Sequence, residues 1–270
     1  MIVNDCYCGV KTILSLKGLG RVFFSHGNRI VALDGIDLDV KEQEFLTVVG
    51  PSGCGKSTLL NIIVGLIPPS QGMVLFDEIP TKGINTRIGY VTQADNLLPW
   101  RTLLKNVQFS LELRGELRDG QEQKARALIK HVGLAGFENH YPHELSGGMR
   151  QRANIIRTLI YDPPVILMDE PFGPLDAQTR ISLQNQLLQL WMNAQKTVIF
   201  ITHDLAEAIS LADRVVVMTA RPGRVKSINT VMIPRPRDVF HIHRSEEFRN
   251  IYDKLWEELR EEVEKSELDG

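Results

Sequence analysis

The chain has 270 residues, of which 43% are hydrophobic and 24% are charged, a balance typical of a globular protein with a sizeable core. Its 31 Lys and Arg residues against 33 Asp and Glu residues give a formal charge of −2. This charge argues against a surface built for nucleic acid, which would carry a basic excess. The first residues do not resemble a signal peptide, and no apolar run approaches the ~20 residues that cross a bilayer, so we expect a soluble, cytoplasmic chain.

The N-terminal part is predicted to form strands followed by one helix. In "GIDLDV" at 35–40, three apolar residues alternate with two aspartates, the period of a half-buried strand. "FLTVVG" at 45–50 is continuously apolar, as in a strand that is buried on both faces. A helix is expected from Ser57 to about Gly65, followed by strands in "GMVLF" and in "RIGYVTQ", which ends at Gln93.

From about 101 to 160 the pattern becomes helical. Met149, Ala153, Ile156 and Ile160 form one apolar stripe at helical spacing. Strands are then predicted in "PVILMDE", "TVIFITH" and "RVVVMT", with a long and a short helix between them. Alternating strands and helices predict an α/β fold, with a mainly parallel sheet covered by helices on both faces and the helical segment inserted into it.

The C-terminal tail, over 245–266, is predicted as an amphipathic helix. We expect it to pack on the core, and a helix that binds a partner is the alternative. Its apolar residues are Phe248, Ile251, Tyr252, Leu255, Trp256 and Leu259.

The stretch "GPSGCGKST" at 50–58 matches the phosphate-loop pattern, with a buried strand before it and a helix after it. Its glycines permit a tight path on which backbone N–H groups and a helix N-terminus face phosphates. Lys56 would reach the β- and γ-phosphates, and the Ser57 hydroxyl would bind Mg²⁺. The candidate nucleotide-binding residues of the loop are Gly50, Pro51, Ser52, Gly53, Cys54, Gly55, Lys56, Ser57 and Thr58.

Three cysteines, Cys6, Cys8 and Cys54, fit a reducing compartment. Cys6 and Cys8 lack the further ligands that a metal site needs, and we assign them no role. We expect Cys54 to be a small filler within the phosphate loop, where oxidation would block the nucleotide.

Two carboxylates stand at the end of the apolar strand "VILMDE". Such charges at the tip of a buried strand are costly unless a cation meets them, so Asp169 is our candidate for holding Mg²⁺. Glu170 would orient and polarise an attacking water. These features allow a kinase, a GTPase or an ATPase, and nothing in the chain resembles the guanine-specifying Asn-Lys-x-Asp.

The order of motifs resembles the ATPase subunits of ATP-binding cassette (ABC) transporters over about residues 12–220. After the phosphate loop come Gln93, "LSGGMRQR" at 145–152, "VILMDE", "PLD" at 174–176 and His203. The resemblance implies one ABC ATPase domain over 1–270 with a P-loop NTPase core and an N-terminal antiparallel β subdomain. The implied bounds are 12–93 and 161–240 for the core with its β subdomain, 94–160 for the helical subdomain and 245–266 for the C-terminal helix.

In that family two chains pack head to tail, and each ATP lies between one phosphate loop and the partner's "LSGGMRQR". The resemblance therefore implies a second copy of this chain or a paralogous ATPase as partner. The residues suit this role, because Ser146 can cap the following helix and Gly147 and Gly148 let backbone N–H groups approach a phosphate.

Four further roles come from the same resemblance. Gln93 is similar to the glutamine that meets Mg²⁺ and the attacking water. His203 resembles the histidine that contacts the γ-phosphate and supports the glutamate. Asp176 resembles the residue that couples the two sites. Phe23 is the candidate for stacking on adenine, with Phe24 as the alternative.

Three stretches, at 96–115, 202–225 and 234–240, resemble the nitrate, sulfonate and taurine importer branch. That branch implies two transmembrane permease subunits, a solute-binding protein and a location on the inner face of the cell membrane, with no nucleic acid. "LLPW" at 97–100 would either cap the helical subdomain or form a groove for a membrane subunit, and we favour the groove. Alternatives are an exporter or lipid-handling ATPase and a soluble ABC ATPase acting on nucleic acid. The sequence leaves the cargo open.

Overall fold

A computed structural model describes residues 10–25, 27–173 and 175–268; Cys6 and Cys8 lie outside this range. The strands are β1 (Thr12–Ser25), β2 (Asn28–Lys41), β3 (Phe45–Val49), β4 (Gln71–Phe76), β5 (Ile79–Pro80), β6 (Ile88–Val91), β7 (Val165–Asp169), β8 (Thr197–Ile201), β9 (Arg214–Met218) and β10 (Val225–Thr230). The α-helices are α1 (Lys56–Ile63), α2 (Leu103–Leu113), α3 (Gln121–His131), α4 (Gly147–Leu159), α5 (Ala177–Ala194), α6 (Leu205–Leu211) and α7 (Glu246–Leu268).

A six-stranded sheet with the order β10-β9-β3-β8-β7-β6 forms the centre of the fold. The five strands from β9 to β6 are parallel, and β10 joins the edge antiparallel to β9. The expected α/β class with a mainly parallel sheet is confirmed. Since parallel strands point the same way, the loops that follow β3, β6, β7 and β8 all leave the sheet at one edge.

Both faces of this sheet are buried, and side chains alternate between them. Phe45, Met168 and Phe200 belong to the cluster that includes residues of α5, α6 and α7. Leu46 and Ile199, their neighbours in sequence, belong to the cluster that includes α1 and the strands β1 and β2. The continuous apolar strands of the sequence follow from this double burial.

A second, antiparallel sheet has the order β2-β1-β4-β5, which confirms the expected N-terminal β subdomain. Ile36, Leu38 and Val40 of β2 are buried, as the alternation in "GIDLDV" indicates. The sequence did not predict β5 or β10. β5 has only two residues and β10 only one buried position, so neither carries an apolar pattern.

The helices α2, α3 and α4 lie between β6 and β7 and enclose their own apolar cluster, so the expected helical insertion is confirmed. The predicted stripe of α4 supplies Ala153, Ile156 and Ile160 to this cluster, and Met149 packs against it. Separate burial of these side chains gives the segment a core of its own.

The C-terminal helix α7 packs on the main core, as the sequence indicated. Phe248, Leu255 and Leu259 are buried there, with Ile251 and Tyr252 against them. The expectation for Trp256 is wrong, because its side chain is 49% exposed. At 100° per residue, Trp256 lies about 80° around the helix from the buried Phe248, at the edge of the buried face, whereas Tyr252 lies only about 40° from it.

Glu262 anchors α7 to the rest of the chain. It is buried, its carboxylate lies 2.9 Å from Lys226 Nζ and 2.7 Å from Lys265 Nζ, and it accepts a hydrogen bond from the Ala220 amide at 3.0 Å. Burial opposes the charge, but the hydrogen bonds from Lys265, Lys226 and Ala220 outweigh burial and lower the pKa of Glu262 from 4.5 to about 2.

A carboxyl group with a lower pKa in the folded state stabilises the fold above its unfolded pKa and loses that contribution as the pH falls. We therefore expect Glu262→Gln to be less stable than the wild type at neutral pH. The difference should shrink as the pH falls from 4.5 towards about 2. Urea denaturation over this pH range measures it, with Glu264→Gln as control, because the exposed Glu264 pairs with Arg260 and not with Lys226. A difference that does not change with pH would contradict the ionic role of Glu262.

Candidate nucleotide-binding site

The loop 50–55 connects β3 to α1 at the carboxyl edge of the main sheet. Gly53 and Gly55 have φ angles of 75° and 108°, in the region that favours glycine. A Cβ on Gly55 would lie 2.8 Å from Leu33 Cδ2, and one on Gly50 would lie 3.0 Å from Cys54 Sγ. The tight path predicted from the glycine pattern therefore requires these glycines.

Lys56 is only 7% exposed, and its ammonium group lies across the start of the loop. Its Nζ donates to the carbonyl oxygens of Gly50 at 2.8 Å and Pro51 at 2.9 Å. The cap residue of α1 is Gly55, which offers no side-chain acceptor, and the first turn contains no acidic residue. The amides of that turn and the Lys56 cation can thus face an anion.

Cys54 is buried among apolar side chains below the loop, as expected of a small filler. Burial raises the pKa of its thiol, although the nearby Lys56 acts in the opposite direction. A thiol kept protonated in this way is a poor nucleophile. The backbone of Cys54 remains part of the loop.

Asp169 ends β7 and is 7% exposed. Burial raises the pKa of its carboxyl group, while a hydrogen bond from the Ser57 hydroxyl and the charge of Lys56 lower it. The hydroxyl of Tyr90 in β6 donates a second hydrogen bond to the Asp169 carboxylate. Burial and the charge of Asp169 raise the pKa of the Tyr90 phenol. Tyr90 was not among the site residues predicted from the sequence, where its only signal was a polar group inside the apolar strand "RIGYV".

Glu170 lies between two residues that are far from it in sequence. Its Oε2 is 3.5 Å from Gln93 Nε2 and 3.3 Å from His203 Nδ1. Its φ angle of 43° is left-handed, an uncommon conformation for a residue other than glycine, and its amide donates to Ile201 O at 3.0 Å. Gln93 lies two residues beyond β6, so the prediction that it ends a strand is wrong.

The stretch 146–148 forms the N-terminus of α4, as predicted. The Ser146 Oγ accepts a hydrogen bond from the Met149 amide at 3.3 Å, and Ser146 and Gly147 are exposed. A Cβ on Gly148 would lie 3.3 Å from Leu175 Cδ2, next to the start of α5. Among the described residues, no hydrogen bond joins this stretch to the phosphate loop of the same chain.

Asp176 caps α5 by accepting a hydrogen bond from the Thr179 amide at 3.0 Å. The same threonine lies close to Gly148, since a Cβ on that glycine would be 3.5 Å from Thr179 Cγ2. Two helix N-termini, those of α4 and α5, therefore adjoin. The structure thus brings Asp176 and the "LSGG" segment together.

Phe23 and Phe24 lie near the end of β1 and differ strongly in exposure. The Arg21 guanidinium lies 4.6 Å from the centre of the Phe23 ring, which is half-buried. Phe24 is 79% exposed. Both rings therefore remain candidates for contact with a base, with one face of Phe23 already covered.

In the loop 97–100, one residue caps the inserted helices and others are available to a membrane subunit. Leu97 is buried in the cluster of the inserted helices, so it caps them and cannot line a groove. Pro99 is exposed, and Trp100 is 71% exposed. The surface that this loop can offer to a partner therefore consists of Pro99 and Trp100, with the half-buried Leu98 beside them.

A glycine-rich phosphate loop between a parallel strand and a helix, with a carboxylate on a neighbouring strand, defines a P-loop NTPase. The family model described as ABC transporter matches residues 33–173. The chain belongs to the ATP-binding cassette family and is an ABC ATPase.

Three relatives are similar along most of the chain. An uncharacterized ABC transporter ATP-binding protein of Methanocaldococcus jannaschii is 52% identical over 257 residues, covering 95% of each protein. A taurine import ATP-binding protein of Yersinia pestis is 45% identical over 72% of this chain and 76% of its own length. An aliphatic sulfonates import ATP-binding protein of Bacillus cereus is 39% identical over 91% of this chain and 95% of its own length.

A solved dimeric ATP-binding cassette, in a post-hydrolysis state with ADP and phosphate bound, has the same fold. It is 35% identical with a TM-score of 0.73, covering 82% of this chain and all of the other. Within the described residues of the present chain, no helix has both the length and the apolar character needed to cross a membrane.

Proposed function

We propose that this chain is the ATP-hydrolysing subunit of an ABC importer for a small solute of the nitrate, sulfonate or taurine kind. The observation that carries the proposal is the meeting of Gln93 and His203 at Glu170, beside the phosphate loop. The taurine and sulfonate relatives support import and this class of solute.

In this proposal the phosphate loop binds ATP and Glu170 is the general base for the attacking water. His203 is 62% exposed at its side chain, so it can contact a γ-phosphate while its Nδ1 faces Glu170. Positioned base assistance of this kind contributes ~10²–10⁴-fold to the rate. Phe23 is assigned to stacking on adenine.

The residues fit a magnesium ion with the nucleotide. Ser57, Gln93 and Asp169 offer the hydroxyl, amide and carboxylate oxygens that this hard cation prefers. Gln93 directs its amide nitrogen at Glu170, which leaves its amide oxygen for the metal. When bound, Mg²⁺ would neutralise charge on the β- and γ-phosphates.

The proposal includes a head-to-tail dimer of this chain with itself or with a paralogous ATPase. Ser146 and Gly147 are exposed at the start of α4, and no hydrogen bond among the described residues ties them to their own phosphate loop. They and Gly148 would bind the nucleotide held by the partner, and Asp176 would couple the two sites. The dimer would lie on the cytoplasmic face of the membrane, on two permease subunits served by a solute-binding protein.

The test is to purify the chain with its membrane subunits and binding protein and to reconstitute the complex in vesicles. Taurine, alkanesulfonates and nitrate are then offered one at a time, with ATP hydrolysis and uptake as readouts. Stimulation of both by one solute supports the proposal. Stimulation of hydrolysis by RNA or DNA instead, or outward transport, would contradict it.

Trp100→Ala is expected to reduce uptake strongly while leaving basal ATP hydrolysis largely intact. An exposed tryptophan beside a proline is a rigid anchor for a partner helix, and its truncation removes that contact without touching the nucleotide site. Trp256→Ala, which removes a half-exposed tryptophan from α7, is the control. Equal loss of uptake and basal hydrolysis in Trp100→Ala would argue against docking at this loop.

A further inference from the structure

The loop 219–224, between β9 and β10, packs directly on the phosphate loop. A Cβ on Gly223 would lie 2.1 Å from the carbonyl oxygen of Cys54, so the two backbones touch at this point. Two residues earlier, Arg221 Nη2 donates a hydrogen bond to the carbonyl oxygen of Gly53 at 3.1 Å. Burial raises the pKa of the Cys54 thiol, and the charge of the nearby Arg221 acts in the opposite direction.

Two other parts of the fold hold the loop 219–224 in place. On one side the Gly223 amide donates to Ala32 O at 3.0 Å, and the Asp34 amide donates to Gly223 O at 3.0 Å, both in β2. On the other side the Ala220 amide donates to Glu262 of α7 at 3.0 Å. Arg221 therefore extends from a segment that is fixed at both ends.

The contact at Gly53 affects a peptide unit of the phosphate loop itself. Gly53 has φ of 75°, and a glycine can leave such a conformation at little cost when nothing restrains it. A hydrogen bond from a charged donor to its carbonyl oxygen fixes the orientation of the Gly53–Cys54 peptide, and such bonds are about twice as strong as neutral ones. When the loop is already held in its binding conformation, nucleotide binding costs less conformational entropy.

We propose that Arg221 is a positioning residue that holds the phosphate loop ready for the nucleotide, and that Glu262 of α7 holds Arg221 in place. The inference rests on the proposed binding of ATP at this loop. It assigns the C-terminal helix a role in nucleotide affinity, through the path Glu262, Ala220, Arg221 and Gly53.

The first test is a fluorescence titration of the purified chain with mant-ATP, together with the MgATP dependence of hydrolysis by the assembled complex. For Arg221→Ala we expect Kd and KM to rise about threefold to tenfold, the scale of one partly exposed charged hydrogen bond. We expect kcat at saturating MgATP to change less than about twofold, because Arg221 does not contact the reacting groups. Arg221→Lys should recover part of the affinity.

The matched control is Arg224→Ala in the same loop, whose guanidinium donates to Asp34 rather than to the phosphate loop. Its Kd and KM should stay close to those of the wild type. Unchanged Kd in Arg221→Ala would overturn the proposal. A fall in kcat or in melting temperature with unchanged KM would also overturn it, because that result indicates a merely structural role.

The second test concerns the link to α7. Glu262→Ala should raise the Kd for mant-ATP in the same direction as Arg221→Ala, whereas Glu264→Ala, at an exposed residue of α7 that pairs with Arg260, should not. The double variant Arg221→Ala/Glu262→Ala should bind mant-ATP no more weakly than Arg221→Ala alone, since both changes interrupt one path. Additive losses would overturn the role given to Glu262.

These outcomes are distinct from failure of the proposed function. A wild-type chain that does not bind mant-ATP would contradict ATP binding itself, and with it both proposals. A complex that binds and hydrolyses ATP without importing any of the offered solutes would contradict the proposed function alone. The Arg221 comparison would still decide the inference in that case.

Discussion

A Glu170→Gln variant is expected to bind MgATP, to hydrolyse it about 10²–10⁴-fold more slowly than the wild type, and to elute from a sizing column as a dimer. Glutamine has nearly the shape of glutamate, so contacts to Gln93 and His203 can persist. It cannot accept a proton from water at neutral pH, so ATP should stay uncleaved between the two chains of the proposed dimer. With MgADP the same variant should elute as a monomer.

Two further variants make this result specific. Glu116→Gln, in the exposed turn after α2, should behave as the wild type. Adding Ser146→Arg to Glu170→Gln should abolish the dimer while leaving ATP bound, because the large charged side chain blocks the approach of the partner's nucleotide. A Glu170→Gln chain that is monomeric with both nucleotides would contradict the prediction that two ATPase chains form the dimer without the membrane subunits. The Ser146→Arg variant of the assembled complex then tests the role of Ser146 by its ATP hydrolysis.

Gly223→Ala is expected to weaken ATP binding by about 5- to 150-fold in a chain that still folds. The added Cβ would lie 2.1 Å from Cys54 O, 2.9 Å from Met218 Cε and 3.1 Å from Leu33 Cδ2, so it is enclosed on three sides. The backbone oxygen belongs to the phosphate loop, which must move to make room. Forcing extra atoms into a packed site costs about 1–3 kcal/mol, and that range corresponds to the expected loss of affinity.

Mant-ATP titration measures this effect, and thermal denaturation is recorded on the same samples. A Gly223→Ala chain with a wild-type Kd would show that the loop 219–224 moves away from the phosphate loop without consequence. A large fall in melting temperature with unchanged Kd would show that the added methyl group destabilises the fold without affecting the nucleotide site. Both results would contradict the expected effect.

The stretch "PRPRDVF" at 234–240 has a structural role that its resemblance to the importer branch did not indicate. In the structure the Arg237 guanidinium is buried and donates to the carbonyl oxygens of Ile209 at 3.1 Å and Ala212 at 2.6 Å, at the end of α6. These carbonyls have no partner within the helix, so the arginine satisfies them. The stretch therefore stabilises the helix that begins directly after His203 and Asp204.

The sequence by itself determined the features that depend on residues close together in the chain. The apolar strands, the amphipathic helices and the phosphate loop each have a short-range pattern, because periodic burial and glycine geometry act over a few residues. The helix cap at Ser146 is local in the same sense, since its hydrogen bond joins residues three apart. The order of these motifs then sufficed to indicate the family.

Only the tertiary structure decided which distant residues meet. Glu170 joins Gln93 and His203, 77 and 33 positions away, because β6, β7 and β8 end at the same edge of the sheet. Arg221 reaches Gly53 across 168 positions, because β9 lies next to β3. Such pairings depend on the order of strands in the sheet, which no local pattern encodes, since periodicity specifies a buried face without specifying its neighbour.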